Sequence, residues 1–230
     1  LSFFLDKLIQ YEGQNIEIFD LGAGAGAIQW SLGLIYVGMK KLGLKPPKIS
    51  VINIDTSAFM LDYNKSYMWP LFKEKYPEID KDFIAEYEVN SWTNQRNIET
   101  SNPILAASYL FDSSDNKEEI AMDFKKLVEK YKPNTVLLIT SRKKIGFLSK
   151  LKDEFKNQGF IPENIEVENL IFNNELEKIN KFRSWLSKEF EISELRNRAT
   201  WVDMSYCGLV LSKPQANLAL SQEKISKINL

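Results

Sequence analysis

The sequence predicts an open, doubly wound α/β sheet: mostly parallel, seven-stranded, with an antiparallel last strand. Three observations predict it. Short β-branched, apolar runs alternate with segments whose apolar residues recur at helical spacing. The intervening helical segments have the length that parallel crossovers need. A glycine-rich turn follows the first apolar run, where such sheets place ligands.

Each element follows in order. Phe3, Phe4, Leu8 and Ile9 fall at helical spacing, and Glu12-Gly13 breaks the pattern before a first strand over residues 16–21. Ile28, Leu32, Ile35, Met39 and Leu42 then mark a helix that stops near Gly43 and Pro46-Pro47. Residues 49–54 form a β-branched run ending in Asp55, a second strand buried on both faces. The alternation continues with a helix over 57–76 and strands over 83–89 and 104–111. Residues 115–118 read as a capping box, opening a helix whose charges run from Glu118 and Glu119 to Lys130, as the helix dipole prefers. Next come a strand over 135–140, a helix through Leu148 and Phe155, and a strand over 165–172. The run 204–211 breaks the rhythm after an insertion, so it enters antiparallel, at the edge or beside the preceding strand.

Composition narrows the function. The 30 basic and 31 acidic residues nearly cancel, so no global field draws the chain to nucleic acid or anionic lipid. One cysteine, Cys207, forms no internal disulfide and reads as a core residue, and the absence of histidine removes the usual imidazole base and any His-rich metal site. With no apolar run of spanning length and no signal-peptide pattern at its start, the chain is expected to be soluble and cytoplasmic. Its opening at Leu1 points to a piece of a longer polypeptide or complex.

The chemistry concentrates in Ile18-Phe19-Asp20-Leu21-Gly22-Ala23-Gly24-Ala25-Gly26. Glycines at a strand-to-helix turn permit positive φ and close ligand approach, beside the unpaired amides of a helix N-terminus. The spacing is G-x-G-x-G, not the G-x-G-x-x-G of a pyrophosphate loop, and Asp20 would repel a pyrophosphate but can engage an ammonium group. Asp55 ends the second strand, where a carboxylate can accept from both ribose hydroxyls, and the two features share one crevice.

Asp20-Leu21-Gly22-Ala23-Gly24-Ala25-Gly26 resembles motif I of the class I S-adenosylmethionine-dependent methyltransferases, and Ile54-Asp55-Thr56-Ser57 resembles their motif II. The resemblance implies a Rossmann-like methyltransferase domain over 1–212, S-adenosyl-L-methionine as cofactor, and S-adenosyl-L-homocysteine as product. By that resemblance Asp20, Gly22, Ala23, Gly24, Gly26, Asp55 and Thr56 hold the cofactor. Asn90, Ser91 and Trp92 lie at the adenine segment, although Asn90 stands where the family often has an acidic residue; Trp92 reads equally as a core anchor. Asp112 falls at motif IV, nearest the transferred methyl, and is the candidate base, or simply a strand-end cap.

The acceptor carries no signature. No Asn-Pro-Pro-Tyr follows the fourth strand, against amino-methylation of adenine in DNA, and the lone Cys207 disfavours cytosine C5 chemistry. If the strand over 165–172 is parallel to the first five, the insertion 173–200 covers the crevice as a substrate lid. It has an apolar helical face at Leu176, Ile179, Phe182 and Leu186. It also carries Arg183 and Arg198, which with Arg142, Lys143 and Trp201 are the candidate acceptor-binding residues, for RNA ahead of protein or small molecule. The interspersed glutamates fit a plainly solvated helix as well. Residues 213–230 read as an extension. Two competing readings stand: a non-catalytic scaffold of this fold inside a larger protein, and an NAD-dependent oxidoreductase, which the spacing and Asp20 disfavour.

Overall fold

In a computed structural model, Asn15–Leu21 (β1) lies parallel to Lys48–Asp55 (β2), with Ile18 opposite Val51 and Asp20 opposite Asn53. The structure describes residues 8, 11–94, 103–110, 117–141, 145–162, 166–171, 184 and 203–213. The remaining strands are Phe83–Val89 (β3), Ile104–Ser108 (β4), Thr135–Ser141 (β5), Ile161–Pro162 (β6), Glu166–Ile171 (β7) and Asp203–Ser212 (β8). Across the sheet their order is β3-β2-β1-β4-β5-β8-β6, and β7 also pairs with β8.

β1 to β5 are mutually parallel. β8 runs antiparallel to β5, with Leu138 opposite Leu209. β6 and β7 both run antiparallel to β8 along its other edge, so they occupy one strand position and point the same way as β1 to β5. Among the described residues the sheet therefore has seven strand positions, with the last strand antiparallel and inserted beside the preceding one. Because β7 points with the parallel strands, its carboxyl end faces the same side as theirs.

Alternation along each buried strand sends side chains to two apolar layers. Ile18, Val51, Ala106, Leu137 and Val210 meet Ala27–Lys41 (α1) through Ile28, Leu32, Ile35 and Tyr36, and meet Trp69–Lys75 (α3) through Trp69 and Phe72. On the other face Phe19, Ile52, Leu105, Leu138 and Leu209 meet Lys117–Tyr131 (α4) through Phe124 and Leu127, and Ile145–Lys156 (α5) through Leu148, Leu151 and Phe155. Two layers on one sheet are what doubly wound crossovers produce.

Two elements depart from the sequence reading. The helix expected over 57–76 is interrupted: Ala58–Tyr63 (α2) passes into a π-turn at Asn64–Met68 before α3 begins. The strand expected to reach 111 ends at Ser108, because Tyr109 takes a left-handed backbone (φ 58°) with its amide donating to the Ile139 carbonyl at 2.7 Å. Leu110 then turns back toward the glycine loop and packs beside Gly22. Of the N-terminal helix only Leu8 is described, helical and buried. Phe111, Asp115 and Asn116 of the capping box, and, apart from Ser184, the insertion 173–200 lie outside the described residues, as does the extension from 214 on. No helix among the described residues is long and apolar enough to cross a membrane.

Candidate ligand crevice at the carboxyl ends of the strands

The turn after β1 is built from backbone hydrogen bonds. The Gly22 and Ala23 amides donate to the Ile54 carbonyl at 2.9 and 3.0 Å, pinning the turn to the end of β2. Gly26 closes it, its amide donating to the Ala23 carbonyl at 2.9 Å, and caps α1 from a left-handed conformation (φ 83°). Gly24 is also left-handed (φ 54°), and a side chain there would meet nothing within 4 Å, so the turn presents bare backbone to open space. That cradle, with the first amides of α1 behind it, suits a ligand that must approach the backbone closely.

Asp55 clamps this turn. Its Oδ2 accepts from the Gly24 amide at 2.8 Å and its Oδ1 from the Ser57 amide at 2.8 Å, while Ser57 Oγ caps α2 by accepting from the Met60 amide at 3.3 Å. The half-buried carboxylate is thus oriented by the fold and keeps spare lone pairs for further donors. Thr56 beside it is exposed.

Asp20 differs. It is 1% exposed, and neither carboxylate oxygen has a hydrogen-bond partner. Burial, and secondly the Asp55 charge, push its carboxyl up to about 8. Burying an unpaired acid is costly, so this position calls for a proton or a cationic partner.

The third segment joins through backbone. The Asn90 amide donates to the Asp55 carbonyl at 2.9 Å, placing the residues after β3 beside those after β2. Asn90 Oδ1 accepts from the Ser91 amide at 2.9 Å and from Asn94 Nδ2 at 2.6 Å, and its Nδ2 donates to Glu88 Oε1 at 2.9 Å, so the Asn90 side chain organises its own turn. Ser91 is tied to Thr93, hydroxyl to hydroxyl, at 2.7 Å. Trp92 packs on the core beside Phe124, ring centroids 6.4 Å apart.

The fold therefore brings Asp20, Gly22, Ala23, Gly24, Gly26, Asp55, Thr56, Asn90, Ser91 and Trp92 to one edge of the sheet. Asp112, Arg142, Lys143, Arg183, Arg198 and Trp201 lie outside the described residues. Sequence reasoning missed the buried amides beneath the turn, Gln29, Asn53 and Asn64; the available signal was Asn53, a lone amide in the apolar run Val51-Ile52-Asn53-Ile54. Cys207 is fully buried in β8, its thiol donating to the Ser141 carbonyl at 3.3 Å, as a core residue would be.

No protein-family model matches the chain, and no curated protein sequence matches it. Solved structures do. YcgJ from Bacillus subtilis superposes with a TM-score of 0.53 at 12% identity, over 94% of this chain and 100% of its own. The cyclopropane synthase MmaA2 from Mycobacterium tuberculosis gives 0.51 at 11% identity, over 91% and 82%. An rRNA methylase from Streptococcus thermophilus gives 0.50 at 10%, over 92% and 94%. At such identities the likeness is one of fold, and with the strand order and the glycine turn it identifies the architecture: this chain has the Rossmann-like fold of the class I S-adenosylmethionine-dependent methyltransferases.

Proposed function

We propose that the crevice binds S-adenosyl-L-methionine and that the protein transfers its methyl group to an acceptor. The observation that carries this reading is Asp20, a buried carboxyl without a partner next to an open glycine cradle and a preoriented second carboxylate. An amino-acid ammonium supplies the cation that Asp20 lacks, and a ribose supplies hydroxyl donors for the spare lone pairs of Asp55. The resemblance at motifs I and II agrees with both assignments. In this reading Asn90, Ser91 and Trp92 border the adenine.

Bound there, the cofactor supplies a methyl group activated on a sulfonium. The chain's own task is positioning: an in-line displacement needs the acceptor held close and aligned, not a nucleophilic side chain. Tyr109 and Leu110 bend the chain after β4 toward Gly22, and the resemblance at motif IV makes Asp112, two residues on in sequence, the candidate base. An acceptor that must lose a proton would give it to Asp112. RNA is the first acceptor to screen, because Arg142, Lys143, Arg183 and Arg198 give the flanking segments local positive charge.

Calorimetric titration with S-adenosylmethionine, S-adenosylhomocysteine and NADH tests the cofactor assignment. The expected result is micromolar binding of both sulfur compounds and none of NADH. Failure of both to bind would overturn it and leave the scaffold reading in its place.

A further inference from the structure

Four elements meet in a polar cluster against the glycine turn. Gln29 of α1, Asn53 of β2 and Asn64 of the π-turn are each fully buried. Gln29 Oε1 accepts from Asn53 Nδ2 and from Asn64 Nδ2, both at 2.9 Å, and Gln29 Nε2 donates to the Tyr87 hydroxyl of β3 at 3.1 Å. Asn53 Nδ2 also reaches the Glu86 carbonyl at 3.0 Å. The Oδ1 atoms of Asn53 and Asn64 are buried with no protein partner. A core built for stability alone would avoid two orphaned acceptors, since each costs more than its amide returns.

The cluster touches the turn at one place. The Asn64 side chain lies directly against Gly26, where an added Cβ would overlap its amide. Asn64 gets there through the π-turn: buried positions along this helix step from 61 to 64, then five residues to 69, then to 72. The wide step turns an amide toward the glycines while Trp69 and Phe72 continue the apolar face, and such turns recur at functional sites.

We propose that Asn64, locked by Gln29, is a positioning residue for the glycine turn. It backs Gly26 in its left-handed conformation and thereby keeps the Gly24 amide on Asp55 and the first amides of α1 turned toward the crevice. The ligand half of this inference rests on the cofactor reading above; the positioning half concerns the protein alone.

Asn64→Ala tests both halves, with Asn64→Ser, too short to reach Gln29, as the second variant should the first not fold. In the ligand-free protein, amide hydrogen exchange over residues 22–28 should accelerate relative to β1 and β2. Gly26→Ala should lower Tm, and adding Asn64→Ala should recover part of that loss, because the overlap is removed. In the folded variant, S-adenosylhomocysteine affinity should fall about tenfold, the scale of coupling between contacting residues. Unchanged exchange at 22–28 with additive Tm losses overturns the positioning role, as does undiminished affinity in the folded variant. If the unsubstituted protein itself does not bind S-adenosylhomocysteine, the cofactor reading fails, and exchange and the double substitution alone decide the positioning role.

Discussion

Asp20 makes a prediction that stability and ligand binding move in opposite directions. Its carboxyl rises from an ordinary 3.8 to about 8 through burial and the Asp55 charge. Between those values the folded state holds a proton that the unfolded state has released, so stability falls as pH rises, by about 1.4 kcal/mol per unit. From pH 4 to pH 7 the loss is about 4 kcal/mol, and the decline levels off above pH 8. Asp20→Asn keeps the shape and has nothing to ionise, so at pH 7 it should be more stable than the unsubstituted protein by roughly that same 4 kcal/mol. Binding has the opposite sign. An ammonium ligand selects the ionised carboxylate, whose fraction rises about ninefold between pH 6 and pH 7, so S-adenosylhomocysteine affinity should rise by nearly as much and release a proton. Above about pH 8 the gain ends, because the ligand's own α-amino group deprotonates. Denaturant unfolding at pH 5, 6, 7 and 8, with calorimetry at pH 6 and 7 in buffers of different ionisation enthalpy, reads both effects. An Asp20→Asn protein that is no more stable at pH 7, or an affinity independent of pH in the unsubstituted protein, would refute the reasoning.

Three further predictions follow from the same geometry. Asp55→Ala removes the acceptor for the Gly24 and Ser57 amides; it should cost about 1–3 kcal/mol in denaturant unfolding, weaken S-adenosylhomocysteine binding, and lower the pH at which that affinity levels off, since the charge that helps raise Asp20 is gone. Phe155→Ala empties a fully buried site where Phe155 meets Phe124 at 6.0 Å and Phe160 at 5.8 Å between ring centroids; a loss of about 3–5 kcal/mol is expected by the same assay. Cys207, 0% exposed, should react with a thiol reagent only as fast as the sheet opens, so labelling in native buffer should be slow and should become rapid in denaturant.

The sequence showed most of this architecture because each level of pattern agreed. β-branched runs, helical apolar spacing and punctuating Gly and Pro all pointed to the same alternation, and the edges of β1, β2, β3 and β5 fell within a residue or two of expectation. Periodicity leaves β8 open between an edge and an insertion, because strand neighbours are chosen by tertiary packing that it does not encode. The π-turn was invisible for a related reason: one extra residue in a helical turn leaves the local pattern nearly unchanged, and its cause, the seat of Asn64 against Gly26, lies across the fold. Tyr109 and Leu110 look like strand residues and extend β4 on paper, yet a hydrogen bond to Ile139 and the space beside Gly22 hold them elsewhere. In the crevice, the residue types at Asp20 and Asp55 were legible; that Asp55 holds the loop while Asp20 stands alone required three dimensions.

The insertion of β8 between β5 and the β6–β7 position also dictates an order of assembly during synthesis. The five parallel strands leave the ribosome with their crossovers and can pair as they emerge, but among the described residues β6 and β7 pair only with β8, which arrives last, at Asp203–Ser212. Until then β5 is an open edge of apolar, β-rich chain, Thr135–Ser141, of the kind that recruits strands from other molecules. A chain that ends before β8 is therefore expected to aggregate more readily than one that includes it. Truncation before residue 203 should therefore load chaperones more heavily than the full chain does.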